Sequence, residues 1–500
     1  MRLTELSSRR LRATALAALG LGMAATWALA CTRPWWLWDH YPAADLRPVL
    51  ASAKELAAYG AVVPVLFALY AAAAWLAGRG ASRWLDAVAL AMPLLFVALL
   101  LPTLPATSSD VHHYVMEGRI LWVHGGNPLV DTPAEYPQDP YLHYVPPWHQ
   151  GVPAPYGPAW ALLTGLPSLL PQGRPEAVLL GYKALASLFL LGTGGVLWAA
   201  LGPMGPEARR RGLVLFAWNP LLVISAAVDG HNDTAMMFFA VVAVAASLRE
   251  RWSVAFPALI VAALVKYVAV LLAPLLLAYA WLRGAPGRRR EAVLAAVLAV
   301  VLGIGLLAPF WEGMDTFRAL RIDQRSWFAN SLAEVALLGL AKVLPLEQSM
   351  QAARALAASA FLAPYLLLLL RPGMQGEGLV WSCYQSMFLY LTVGSTLFYP
   401  WYVAWVLPLA ALLGGSRWAA PALLLSFTAC FVALVERMVF HLGFLRGDTG
   451  MQALVTVAVA LGPPLMAWVW LAWREWGRRP WTMAPPVGVA TRLMGARSGH

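Results

Sequence analysis

Long apolar runs separated by short arginine clusters extend from about residue 13 to about residue 472, a pattern that few folds accept. Of the 500 residues 60% are hydrophobic and only 12% are charged, whereas a water-soluble domain holds about a quarter charged residues. The expected fold class is therefore an all-α polytopic membrane protein with a single membrane domain over residues 1–500. Spans are read at 13–30, 57–77, 86–103, 177–201, 213–228, 234–248, 252–265, 268–282, 291–310, 354–370, 379–398, 402–414, 418–436 and 451–472, about 14 in all, with ends set to within ~2 to 4 residues. The N-terminal stretch to Cys31 reads either as a signal peptide or as an uncleaved first span, and the topology after it is the same in both cases.

With the N-terminus inside, the inner segments collect most of the lysine and arginine and few of the acids, as the positive-inside rule requires. A net charge of +11 could suggest nucleic acid, but the basic residues sit in short loops between apolar runs, so no nucleic-acid partner is expected. All histidines but His500 then fall outside, five of them between 112 and 149, which puts any chemistry on the extracytoplasmic side. The apolar segments 159–170 and 332–345 are too short for a span and are expected to lie as helices at the outer interface. The domain thus divides into N-terminal helices (1–85), a large extracytoplasmic loop (104–176), a second one (311–353) and a cytoplasmic tail (473–500). The cysteines Cys31, Cys383 and Cys430 are widely spaced, so neither a disulfide framework nor a CxxC metal site is expected.

The large loop opens with "SSDVHHYVMEGRILWVH" and continues with nine prolines between Pro128 and Pro158, which suit an ordered, extended wrap. A helix starting near Ser109 or Asp110 is expected. It places Asp110, His113 or Tyr114, and Glu117 on one face. Asp110 taken alone reads equally well as a helix cap. Adjacent His112 and His113 point about 100° apart on a helix, whereas paired helical ligands come at i and i+4, so no metal is expected.

Between the inner clusters Arg209–Arg211 and Arg249–Arg251 the chain rises and returns in two spans of about 15 residues, roughly 22 Å each, short of a ~30 Å hydrocarbon core. The turn with Asp229, His231, Asn232 and Asp233 is therefore expected below the outer surface, in a water-filled cavity. The next hairpin carries Lys266 and Tyr267 in its turn. A recessed lysine is a candidate for an anionic ligand, with snorkelling to the interface as the alternative. Arg318, Arg321 and Arg325 form a cationic stripe at i, i+3 and i+7, suited to phosphate or to lipid headgroups. "FYPWYVAW" puts Tyr399, Trp401 and Tyr402 at another outer boundary, as interfacial anchors or as a stacking surface.

Taken together, these motifs resemble the multispanning GT-C glycosyltransferases, and in particular bacterial mannosyltransferases that use polyprenyl-phosphate mannose. The residues that carry the resemblance are Asp110, "EGRILWVHGGNPL", "YGP" at 156–158, "WNPL" with "GHND" at 218–233, Lys266 and "FYPWYVAW". It implies a GT-C-like bundle in a bacterial cytoplasmic membrane with an extracytoplasmic site. It also implies inverting transfer of a hexose, mannose by resemblance, from a polyprenyl-phosphate donor to a glycan or lipid-linked acceptor, with no cofactor. Asp110 takes the place of the family's catalytic aspartate. Many relatives have a second acid beside it; here Val111, His112 and His113 stand there, so Glu117 or Asp233 would supply one. Lys266 with Arg318, Arg321 and Arg325 would meet the donor phosphate, while His112, His113, Tyr114, Arg119, Asn127, Tyr156, His231, Asn232, Tyr267, Tyr399, Trp401 and Tyr402 would line the substrate site. Competing readings are a transporter or flippase of lipid-linked sugar, or an enzyme of the same architecture moving another lipid-carried group.

Overall fold

The helices predicted from the apolar runs form a bundle whose outer face is itself apolar. The computed structural model describes residues 3–40, 43, 53–171, 173–283, 286–321, 328–370, 376–442 and 448–476, and these are almost wholly helical. Among the described residues seven helices are long and apolar enough to cross a membrane, or nine when two bent pairs each count as one. Each of the fourteen segments read from the sequence falls on a helix, but Asp233–Ser247, Trp252–Val265, Tyr267–Leu282 and Pro400–Leu412 are short, and Gly376–Leu389 passes into a π-helical turn at Tyr390–Gly394. The segments 159–170 and 332–345 carry the short helices Pro158–Leu163, Gly165–Ser168 and Leu332–Leu340. Of the tail read at 473–500, the part from 477 onward lies outside the described residues.

Helix Pro286–Leu307 exposes Val293, Leu294, Val297, Leu298, Val300, Val301 and Ile304. So continuous an apolar surface is unfavourable in water and neutral in lipid, which fits a bundle solvated by hydrocarbon. The first helix, Leu3–Trp27, packs on Ala53–Ala77 and Arg83–Leu100; the short helices Asp233–Ser247 and Trp252–Val265 pack against each other, the former also on Pro175–Leu201 and the latter on Pro286–Leu307.

One buried cluster of charges ties the bundle together. Asp86, at the start of Arg83–Leu100, accepts from Arg209 Nη2 at 2.6 Å and from Arg210 Nη1 at 2.9 Å, and Arg210 Nε donates to the Ala77 carbonyl at 2.7 Å. Arg210 is fully buried. One carboxylate therefore ties two arginines of the inner cluster to the N-terminal helices. Removing one partner of such a pair leaves a buried charge without compensation. We expect Asp86→Ala to cost about 3 to 5 kcal/mol, read as a lower melting temperature of the purified protein in detergent.

Candidate active site

The proline-free start of the large loop forms the helix Asp110–Trp122, with Ser109 at its N-cap position and Asp110 as its first residue. Its faces are divided by chemistry. Gly118 lets the helix settle on Pro175–Leu201, since a Cβ there would overlap the hydroxyls of Tyr182 and Ser168. Arg119, on the outer turn, donates to both oxygens of Asp139 at 3.0 Å, and His124 Nε2 meets the same carboxylate at 2.6 Å. Burial pushes the Asp139 carboxyl up, but Arg119, His124 and the Tyr141 N–H outweigh it and hold it below the ordinary carboxylate range. Arg119 thus fastens the proline-rich wrap. Asn127 joins the two outer loops, donating to the Phe310 carbonyl and to Glu312, each at 2.9 Å.

The start of the helix opens onto a cavity of about 410 Å³. Asp110 and His113 reach it from one side, with Thr107, Ser108 and Ser109 from the preceding segment and Trp148, His149 and Tyr156 from the wrap. Tyr399, Trp401 and Tyr402 form the facing wall, and Glu436 with Arg437 completes it. Tyr399 and Trp401 lie parallel, 4.7 Å apart, and Trp401 stacks on His231 at 4.1 Å. Tyr156 donates to the Tyr114 hydroxyl at 3.4 Å, and Tyr114 to His231 Nδ1 at 3.3 Å. Gly157, within "YGP", allows this segment to touch Leu264, whose carbonyl a Cβ would overlap.

Enclosure pushes the Asp110 carboxyl up, while His149 and Ser108 pull it partly back. Glu117 lies one further turn along the same face, buried, with one oxygen 3.5 Å from His113 Nδ1. Burial and the charge of Asp110 raise its carboxyl well above the ordinary range, and burial with His149 lowers His113 to about 3. His113 Nε2 points at the Val152 carbonyl, 3.3 Å away, so that nitrogen carries the proton and Nδ1 accepts. A neutral imidazole therefore stands beside the Glu117 carboxyl, stacked on His149 at 4.7 Å. Among the described residues no three His, Cys, Asp or Glu side chains converge so as to hold a metal ion.

Other sequence-predicted residues stand behind the wall or away from it. Lys266 Nζ donates to Asp233 Oδ1 at 2.7 Å, and Trp405 Nε1 to the same oxygen at 2.5 Å. The ammonium faces the rings of Tyr402, Tyr156 and Trp405 at 4.7 to 5.4 Å; the two tyrosines line the cavity and Lys266 does not. Asn232 is buried at the start of the next helix, and Tyr267 follows Lys266 in a 3₁₀ turn. His112 points to the opposite side of its helix, stacked on Tyr144 at 5.6 Å. Arg318 and Arg321 are exposed on the second outer loop, where Arg321 reaches Asp315 at 3.3 Å; Arg325 lies outside the described residues. Sequence reasoning missed His149, Glu436 and Arg437. Glu436 and Arg437 had a signal: two adjacent ionisable residues at the edge of an apolar run mark a functional candidate.

The sequence profile of the alpha-(1->6)-mannopyranosyltransferase family, N-terminal domain, matches residues 11–283, more than half of the chain. The chain belongs to this family. Alpha-(1->6)-mannopyranosyltransferase A of Mycobacterium tuberculosis is 28% identical over 239 residues, covering 43% of this chain and 44% of that protein. The chain thus matches less than half the length of that relative. The family is of the GT-C mannosyltransferase type that the sequence resembles. Its matched region contains Asp110, the "GHND" turn and Lys266, whereas the aromatic wall and Arg437 lie beyond it.

The Asp233–Lys266 pair gives a direct test of structure at this site. We expect Lys266→Met to lower the melting temperature, by about 3 to 5 kcal/mol of stability, because Asp233 is left charged and buried. Adding Asp233→Asn should recover part of that loss, measured by the same thermal melt.

Proposed function

We propose that the chain is a hexosyltransferase that moves mannose from a polyprenyl-phosphate donor to a glycan or lipid-linked acceptor, at the extracytoplasmic face of a bacterial cytoplasmic membrane. The observation that carries this reading is the convergence of Asp110, Arg437 and an aromatic wall on one cavity. Family membership supports mannose as the sugar. The outward placement is supported by helix Asp233–Ser247, which begins at the site and ends beside the inner cluster Arg249–Arg251.

In this mechanism the acceptor hydroxyl attacks the anomeric carbon of the donor sugar as the bond from that carbon to the phosphate oxygen breaks. Asp110 accepts the hydroxyl proton as general base, and polyprenyl phosphate departs. A single displacement inverts the anomeric centre. Arg437 is the only lysine or arginine among the described residues lining the cavity, and it takes the role of meeting the charge that grows on the leaving phosphate. The exposed arginines of the second loop are more remote, and Lys266 acts through the tyrosines in front of it. The parallel rings of Tyr399 and Trp401 offer a flat face for the sugar. Glu117, with one oxygen 3.5 Å from His113 Nδ1, serves as the second acid in its protonated form, while Asp233 has its charge engaged by Lys266.

Three experiments test the reading. Asp110→Asn should leave a folded protein that transfers no label from radiolabelled polyprenyl-phosphate mannose, and full retained transfer would remove the base assignment. In the wild type, transfer should rise with pH as Asp110 loses its proton, with a midpoint above the ordinary carboxylate value of ~3.9, since enclosure raises it. Arg437→Gln should raise the KM for the donor about 10-fold or more, in keeping with the loss of a charged hydrogen bond worth about 1.5 to 3 kcal/mol. The steady-state KM for the labelled donor, measured at fixed acceptor, decides this.

A further inference from the structure

The segment 101–109 connects the third long helix to the helix that begins at Asp110 and makes no regular secondary structure beyond a single bridge. Two fully buried charged side chains from other parts of the chain hold its backbone. Asp229 Oδ1 accepts the Ala106 N–H at 2.8 Å and the Thr107 N–H at 3.1 Å, and its Oδ2 accepts the Thr107 hydroxyl. Lys183, on helix Pro175–Leu201, donates Nζ to the Leu101 carbonyl at 2.7 Å and also to the Thr103 carbonyl. A negative group serves the donors of this segment, a positive group serves its acceptors, and no oxygen of Asp229 is left over for substrate.

The turn that presents Asp229 is shaped for this contact. Gly230 has φ +69°, and a Cβ there would come within 3.2 Å of both Val111 and the Lys183 side chain. Only a glycine lets the turn, the lysine helix and the first residues after Asp110 close to this distance. On the cavity side, the Ala106 carbonyl faces Arg437 Nη2 at 3.5 Å, and Ser108 Oγ accepts the Asp110 N–H at 3.1 Å. The Ala106 peptide is thus approached by a buried carboxylate on one side and a guanidinium on the other. Four residues after Ala106 the chain delivers Asp110.

We propose that Asp229 and Lys183 are positioning residues that set the Asp110 carboxylate for proton transfer by fixing the backbone of residues 101–107. The proposal rests on the assignment of Asp110 as base. Proton transfer demands hydrogen-bond reach, and a displacement of about 1 Å at a catalytic group can cost on the order of 100-fold in rate. Neither side chain touches the cavity, so their effect passes through the segment they hold.

The test compares Asp229→Ala, Asp229→Asn and Lys183→Met with the wild type in detergent, using labelled polyprenyl-phosphate mannose and matching samples for folded protein by gel filtration and thermal melting. Asp229→Ala should lower kcat by about 10- to 100-fold with donor KM changed less than about twofold, and should move the acidic limb of the pH–rate profile. Asp229→Asn keeps an oxygen for the two N–H groups and should restore kcat to within about threefold of wild type. Lys183→Met should reproduce the kcat loss. A wild-type kcat and pH profile per folded molecule in Asp229→Ala or Lys183→Met would overturn the proposal, as would a loss confined to yield and melting temperature. Should neither fold, Thr107→Val deletes one bond of the clamp; an unchanged kcat would then overturn it, and a several-fold loss at constant KM would support it. Asp110→Asn, run in parallel, separates the two ideas: retained transfer there refutes the base assignment whatever the clamp variants do.

Discussion

The ion pair between Asp233 and Lys266 is the contact on which the outer end of the bundle depends. Asp233 opens one short helix and Lys266 closes the next, so the pair joins the ends of two short helices where both charges are largely buried. A third element, the turn Pro400–Trp405, enters through the Trp405 indole, which donates to the same carboxylate oxygen. Two opposite charges in an apolar bundle are tolerated only together, because either one alone carries the full desolvation penalty. Their joint placement also decides where Tyr402 lies, stacked on Trp405 at 4.2 Å, and hence where the aromatic wall of the cavity stands.

A helix of thirteen residues then divides its labour along its length. Its first turns face the cavity with Asp110 and His113; Gly118 faces the bundle; Arg119 holds the wrap through Asp139. The proline-rich wrap is ordered because its acids and aromatics have partners. Tyr141, for example, donates its hydroxyl to the Pro175 carbonyl at 2.7 Å and its N–H to Asp139 at 2.7 Å. The site is therefore rigid on the loop side for the same reason that the bundle is rigid at its core.

Much of the fold was legible from the chain itself, since hydrophobic runs and arginine clusters obey lengths and charge rules that need no tertiary information. The start of the helix at Asp110 and the shared face of Asp110, His113 and Glu117 follow from local pattern and reappear in space. Lys266 was legible as a recessed charge, but its partner was not. Asp233 is thirty-odd positions away, and nothing local links the two. Arg119 and Asn127 read as site residues because they sit in a polar loop; only folding shows that Asp139 and Glu312 claim them. Arg437 went unread although it stands one residue past the span read at 418–436, because nothing local shows that its helix borders the cavity. Asp229 illustrates the same limit. Its backbone partners at Ala106 and Thr107 leave no trace in side-chain pattern.

The charge inventory of the cavity bears on which donor chemistry it suits. Apart from histidine, its described lining carries Asp110, Glu436 and Arg437, so one cation stands against two carboxyls. A sugar linked to a lipid through one phosphate brings a single negative charge, and its departure adds one more as the bond to carbon breaks. A lone guanidinium, able to donate two parallel hydrogen bonds, matches that increment. A diphosphate donor would bring further charge into a space already holding two carboxyls and would call for additional cations at the wall. The raised Asp110 carboxyl follows from the same economy of charge: enclosure opposes its ionised form. In the proposed reaction a bound donor phosphate would oppose it further, which would raise the basicity of Asp110 while the donor is in place.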